Sequence, residues 1–129
     1  MTQKSEDYVE IYNLLGKYSN VFDFREWDRL GELFTTDAIL DPSSEGYPVI
    51  TGLEAMKAIF PQNPPPNVHT NLNFVIEDYD GTHAKVHTRA LTIDAERKVV
   101  PGYYEDDLIK TSDGWRIARR LVHQLLPPL

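Results

Sequence analysis

Apolar residues near the start of the chain recur every three or four positions, whereas in the last half they recur every second position. Ile11, Leu14, Leu15, Tyr18, Val21 and Phe22 fall on one stripe, the mark of an amphipathic helix. Ser5 followed by Glu6 and Asp7 suits the start of that helix, because acidic groups are favoured at the positive end of the helix dipole. Asp23-Phe24-Arg25-Glu26 fits a capping box and predicts a second helix through Trp27, Leu30, Leu33 and Phe34. A short strand is expected over 38–40. Residues 52–60 predict a third, short helix with Leu53, Met56, Ile59 and Phe60 apolar, ended by Pro61.

The period then changes. Leu72, Phe74 and Ile76 alternate with polar neighbours, as in a half-buried strand. Asp80-Gly81 signals a hairpin, since both residues tolerate positive φ. Strands are expected over 84–93, 99–109 and 115–126, the last two joined by a turn at Ser112-Asp113-Gly114. Helices followed by long antiparallel strands exclude a doubly wound sheet, which needs alternating units. The fold class is α+β: a strongly curved antiparallel sheet with three N-terminal helices on its concave face. The result is a cone-shaped α+β barrel whose open end is a pocket.

A length of 129 residues suits one domain spanning 1–129. The absence of cysteine excludes disulfides, thiolate nucleophiles and Cys-ligated zinc. A net charge of −7 argues against nucleic acid, and the one dense basic cluster, Arg116, Arg119 and Arg120, is too small to reverse that. No apolar run approaches the ~20 residues of a membrane span, and the polar start of the chain lacks a signal-peptide core. A cytoplasmic protein without membrane association is expected.

Asp23 closes the apolar helix beside Phe22 and Phe24, an electrostatically poor place for a carboxylate. The plain reading is a cap for the next helix. His69 follows Pro64-Pro65-Pro66 at the start of the strand region, where an imidazole can exchange protons near neutral pH or serve as an ordinary surface group. Tyr18, on the helix stripe, reads first as a core residue. Of Tyr103 and Tyr104, one faces in and one out, and the pattern leaves open which. His83 and His87 are ~13 Å apart along a strand, too far to share a metal, and read as surface residues. The direction of His123 depends on register. Neither a phosphate loop, a nucleophile elbow nor a dinucleotide fingerprint is present, and no metal or cofactor is expected.

The run Gly16-Lys17-Tyr18-Ser19-Asn20-Val21-Phe22-Asp23, then Glu26-Trp27-Asp28-Arg29-Leu30 and Leu33-Phe34-Thr35-Thr36-Asp37-Ala38, resembles the opening of SnoaL-like proteins of the nuclear transport factor 2-like superfamily. Val68-His69-Thr70-Asn71, Gly102-Tyr103-Tyr104-Glu105-Asp106 and Asp113-Gly114-Trp115-Arg116-Ile117 extend the likeness to nearly the whole chain. Within the superfamily the closest likeness is to the scytalone dehydratase, hexachlorocyclohexane dehydrochlorinase and bile-acid 7α-dehydratase group. That likeness implies a cofactor-independent lyase or isomerase acting on a small, largely apolar molecule. Asp23 and His69 would be its catalytic dyad and Tyr18 a third catalytic group. Phe22, Trp27, Phe60 and Tyr104 would line the substrate pocket, with Arg120, or Arg119 in a register shifted by one. Phe22 and the pair Ile93-Asp94 depart from the scytalone dehydratase pattern, which makes scytalone a poor candidate substrate. The resemblance also implies a homodimer through the outer sheet face. It leaves open a non-catalytic ligand-binding or interaction protein of the same fold.

Overall fold

The computed structural model describes residues 1–125. Its elements run α1 (Gln3–Asp23), a 3-10 helix (Trp27–Glu32), β1 (Phe34–Asp41), a 3-10 turn (Ser43–Glu45), β2 (Ile50–Thr51), α2 (Leu53–Ile59), β3 (Val68–His69), β4 (Leu72–Glu77), β5 (His83–Ile93), β6 (Val99–Thr111) and β7 (Gly114–Gln124). The strands form one sheet in the order β2-β1-β7-β6-β5-β3, with β4 also on β5. All pairings are antiparallel except β1 with β7. The expected α+β class and curled sheet are therefore present, and the three helices are one long α-helix, one 3-10 helix and one short α-helix.

Several local expectations are corrected. The first helix starts earlier, capped by Thr2, whose Oγ1 accepts from the Ser5 amide at 3.1 Å. The second helical segment is 3-10, and Glu26 at its start makes no side-chain cap. Asp23 does not cap it either: α1 ends instead in a reversing turn. There Arg25 adopts φ 58°, its N–H bonds Phe22 O at 3.3 Å, and the Glu26 N–H bonds Val21 O at 2.9 Å. This is the six-to-one and five-to-two pattern of a Schellman motif, with Arg25 where glycine is usual. Phe34 begins β1, which is longer than the strand expected over 38–40. The strand expected to reach 126 is described to Gln124, and Leu126 lies outside the described residues.

The buried face of α1 carries Asp7, Ile11, Leu14, Leu15, Tyr18, Val21 and Phe22. It packs across the concave side of the sheet against Ala84, Val86, Leu108, Trp115 and Ile117. No helix among the described residues is long and apolar enough to cross a membrane.

Asp7 fastens the start of α1 to β6 and β7. It is 1% exposed and accepts from Lys110 Nζ at 2.8 Å, Trp115 Nε1 at 3.0 Å, Gln3 Nε2 at 3.0 Å and the Tyr79 hydroxyl. Burial pushes its carboxyl up, but the Lys110, Trp115, Tyr79 and Gln3 hydrogen bonds outweigh that and hold it well below the usual range. The stability it contributes is complete above its usual value of 3.8 and is lost as pH falls below it. Asp7→Ala leaves the buried Trp115 indole N–H unpaired and takes the carboxylate from the partly exposed Lys110 ammonium. It should lower the free energy of unfolding by about 2 kcal/mol in urea titrations at neutral pH.

Candidate functional site

Asp23 and His69 meet where the end of α1 reaches the two-residue strand β3. Asp23 Oδ1 accepts from His69 Nδ1 at 2.8 Å, and its two oxygens accept the His69 backbone N–H at 2.9 and 3.1 Å. An ionised carboxylate only accepts, so the ring proton sits on Nδ1 and Nε2 carries the lone pair. Nε2 has no hydrogen-bond partner among the described residues. His69 is 6% exposed. Burial pushes its pKa below 6.5, only partly offset by Asp23, while Arg120 and Arg25 push the same way as burial. The imidazole is therefore a neutral proton acceptor at neutral pH.

Tyr18 stands one helical turn before Phe22, stacks on it at 4.2 Å and meets the His69 ring edge-on at 6.1 Å. Burial raises its pKa, so the hydroxyl keeps its proton. Phe22 also contacts Trp27 at 5.6 Å, Phe60 at 5.2 Å and His69 at 5.4 Å between ring centroids. Of the expected wall residues, Phe22 touches the His69 ring, and Trp27 and Phe60 pack on Phe22 behind it.

The Arg119 and Arg120 alternatives resolve in favour of Arg120. The β6–β7 register slips between Asp107↔Arg119 and Leu108↔Ile117, so Ala118 is an extra residue in β7. Inward parity passes from Trp115 and Ile117 to Arg120, while Arg119 is exposed. Arg120 is fully buried and bidentate to Asp106, Nε–Oδ1 and Nη2–Oδ2 both 2.7 Å. Its guanidinium lies between the rings of Tyr18 at 4.1 Å and Tyr104 at 4.0 Å. Burial disfavours this cation, but the Asp106 charge more than compensates and raises its pKa. Arg120 Nη2 also donates to Asn71 Oδ1 at 3.2 Å, and Asn71 Nδ2 donates to Leu15 O and Ser19 Oγ. Arg120 Nη1 and Thr88 Oγ1 are buried without partners among the described residues.

Tyr104, not Tyr103, faces inward. Asp106 was not anticipated, yet period two from an inward Tyr104 places it inside. Asn71 and Thr88 carried no comparable signal. His83 is exposed, and His87 is half-buried on the outer face, stacked on Tyr103 at 5.3 Å. His123 lies beyond Tyr103 at 4.6 Å in the same stack. Among the described residues no three His, Cys, Asp or Glu side chains converge as metal ligands.

The internal hollow expected from the sequence is a packed interior. Tyr18, Phe22, Phe34, Phe60 and Tyr104 are 1–4% exposed and touch one another where open space was expected. Grooves of about 330 and 410 Å³ lie elsewhere. One is beside Tyr12, Lys17 and Arg29, the other beside Leu72, Arg89 and Leu125, and neither includes the dyad.

The chain belongs to the SnoaL-like domain family, whose profile matches residues 3–121. The uncharacterized protein Rv2910c of Mycobacterium tuberculosis is 32% identical over 127 residues, covering 89% of this chain and 83% of its own. Two solved proteins of Novosphingobium aromaticivorans superimpose with TM-scores of 0.80. One bears the provisional name aromatic ring hydroxylase (24% identity, 95% of this chain, 91% of that one) and the other the provisional name scytalone dehydratase (20%, 96% and 87%). An NTF2-like protein with a cystatin-like fold from the same organism gives 0.78 at 18% identity, covering 98% and 86%. At these identities the structures establish the shared fold.

Titration of the His69 ring followed by NMR should show a midpoint below 6.5. Since the folded-state value is depressed, the stability tied to neutral His69 is complete above 6.5 and is lost as pH falls through that midpoint. A midpoint at or above 6.5 would contradict a dry, neutral imidazole.

Proposed function

We propose that this protein is a cofactor-independent lyase or isomerase for a small, largely apolar organic molecule, with His69 as base. The observation that carries this reading is the 2.8 Å contact that fixes the His69 tautomer and leaves Nε2 unpartnered beside an aromatic wall. In this scheme Nε2 takes a proton from a substrate carbon, and Asp23 stabilises the imidazolium that forms. The C–H electron pair becomes a double bond. In an elimination, a hydroxide leaves with a proton from Tyr18 as water, and His69 returns its proton to Tyr18. In an isomerisation, His69 returns the proton to a different carbon, and Tyr18 only hydrogen-bonds the enolate oxygen. Phe22, Trp27, Phe60 and Tyr104 exclude water, and Arg120 orients the substrate.

The test is mass-spectrometric screening of small cyclic hydroxy ketones for loss of water or migration of a double bond. His69→Ala and Asp23→Asn should each lower turnover by ~10²–10⁴ with the fold intact, and Tyr18→Phe by less. The acid limb of kcat/KM should have its midpoint below 6.5, where His69 takes up its proton. Full turnover in His69→Ala would end this reading.

The packed interior favours a second reading, a non-catalytic ligand-binding or interaction protein. Its outer sheet face carries Val75, Leu91 and the stack His87–Tyr103–His123. A second copy of this chain is the expected occupant of that face under either reading. Sedimentation should give a dimer that Tyr103→Glu dissociates. A monomeric wild type would remove that assembly.

A further inference from the structure

Residues 64–66 are three consecutive prolines, so this stretch has no backbone N–H with which to join a sheet or anchor itself. Its backbone can be hydrogen-bonded only through its carbonyls. Arg25 does this: Nη2 donates to Pro65 O at 3.1 Å and Asn67 Oδ1 at 3.1 Å, and Nη1 donates to Pro66 O at 3.4 Å and Phe22 O at 3.2 Å. One planar guanidinium thus ties the strap to the end of α1. Two residues before Arg25, Asp23 grips His69, itself two residues after Asn67.

The backbone supports the same conclusion. Arg25 occupies the left-handed position of the helix-ending turn, where glycine would be unstrained. Nothing in the turn's own hydrogen bonds needs a side chain there. An arginine accepts that strain where its side chain is used, and here the side chain is spent on the strap. Its guanidinium also lies 5.7 Å from the Trp27 ring, which packs on Phe60. The latch therefore closes the rim of the aromatic wall around His69.

We propose that Arg25 is a positioning residue: it latches the proline strap to α1, seats His69 on Asp23, and must release for a ligand to reach the packed interior. The seating stands on geometry alone, while the ligand-gating consequence rests on the functional reading above. The experiment therefore reads seating without turnover.

Hydrogen exchange of the His69 amide, which donates to Asp23, is compared with that of Leu108 in β6 for wild type, Arg25→Gly and Arg25→Lys. Arg25→Gly removes the guanidinium and relaxes the left-handed backbone. Arg25→Lys keeps the charge but lacks the planar fork. Asp23, Arg25 and Arg120 are the charged groups that act on the His69 ring, so its titration is followed in parallel. In Arg25→Gly the His69 amide should exchange at least about tenfold faster with Leu108 unchanged, and the ring midpoint should move up toward 6.5 as water enters and the Arg25 charge is lost. Arg25→Lys should show the same local loss, partly rescued. Wild-type exchange and titration at His69 in Arg25→Gly overturn the proposal. So does loss of protection at His69 and Leu108 together in both variants, since that marks a general structural role.

Discussion

The Asp23 carboxylate accepts both the backbone N–H and the ring Nδ1–H of His69, so one side chain at the end of α1 decides where β3 starts and how its imidazole is turned. The strand it holds is two residues long, in register with β5 through Val68↔Ile93 and His69↔Thr92 and extended by Asn67 N–H to Ile93 O and Thr70 N–H to Leu91 O. Asp23 adds an anchor from α1 through the His69 N–H. A carboxylate at a helix C-terminus is also unfavourable by a few tenths of a kcal/mol, because the last carbonyls already point negative charge that way. Two charge-assisted hydrogen bonds to His69 offset that penalty, and the Arg25 cation two residues on acts in the same sense.

The second constraint is a buried ion pair. Removing Arg120 and Asp106 from water is expensive, and only close bidentate geometry with further partners compensates it. Here the compensation is nearly complete: two 2.7 Å bonds, an Asn71 acceptor and two aromatic faces. Tyr18 joins this pair to the dyad, since its ring touches Phe22, His69, Tyr104 and Arg120. Asn71, two residues after His69, ties the same guanidinium to α1. Tyr18 and the 69–71 segment thus connect the ion pair to the dyad. Arg120 Nη1 is where the compensation is incomplete, being buried without a partner among the described residues.

Periodicity made the long elements legible, because the stripe of α1 and the alternation of β5 and β6 are local properties of the sequence. Asp23 misled as a cap because the capping box is also a local pattern, whereas its real partner lies 46 residues away. The resemblance to known proteins paired Asp23 with His69; the pattern alone did not. Arg119 and Arg120 were indistinguishable for a sharper reason. A single bulge at Ala118 reverses inward parity, and no composition signal marks a bulge. The parallel pairing of β1 with β7 likewise joins residues some eighty positions apart. The closure of the interior follows from side-chain volume and rotamer, neither of which a hydrophobic pattern encodes.

A packed interior and a site for a ligand are compatible if the ground conformation is one of two. The strap is secured by four hydrogen bonds from Arg25, one of which stays within the helix end. Three bonds remain to be broken, each worth about 1 kcal/mol net. If those bonds were the whole cost, an open form would fall in the roughly 0.1–10% range of a minor state. Such a form is too rare to dominate a ground-state conformation, yet abundant enough for a ligand to select. An aromatic wall that keeps His69 dry when closed, and a strap that Arg25 holds through Pro65 O, Pro66 O and Asn67 Oδ1, place that opening at the rim where the dyad sits.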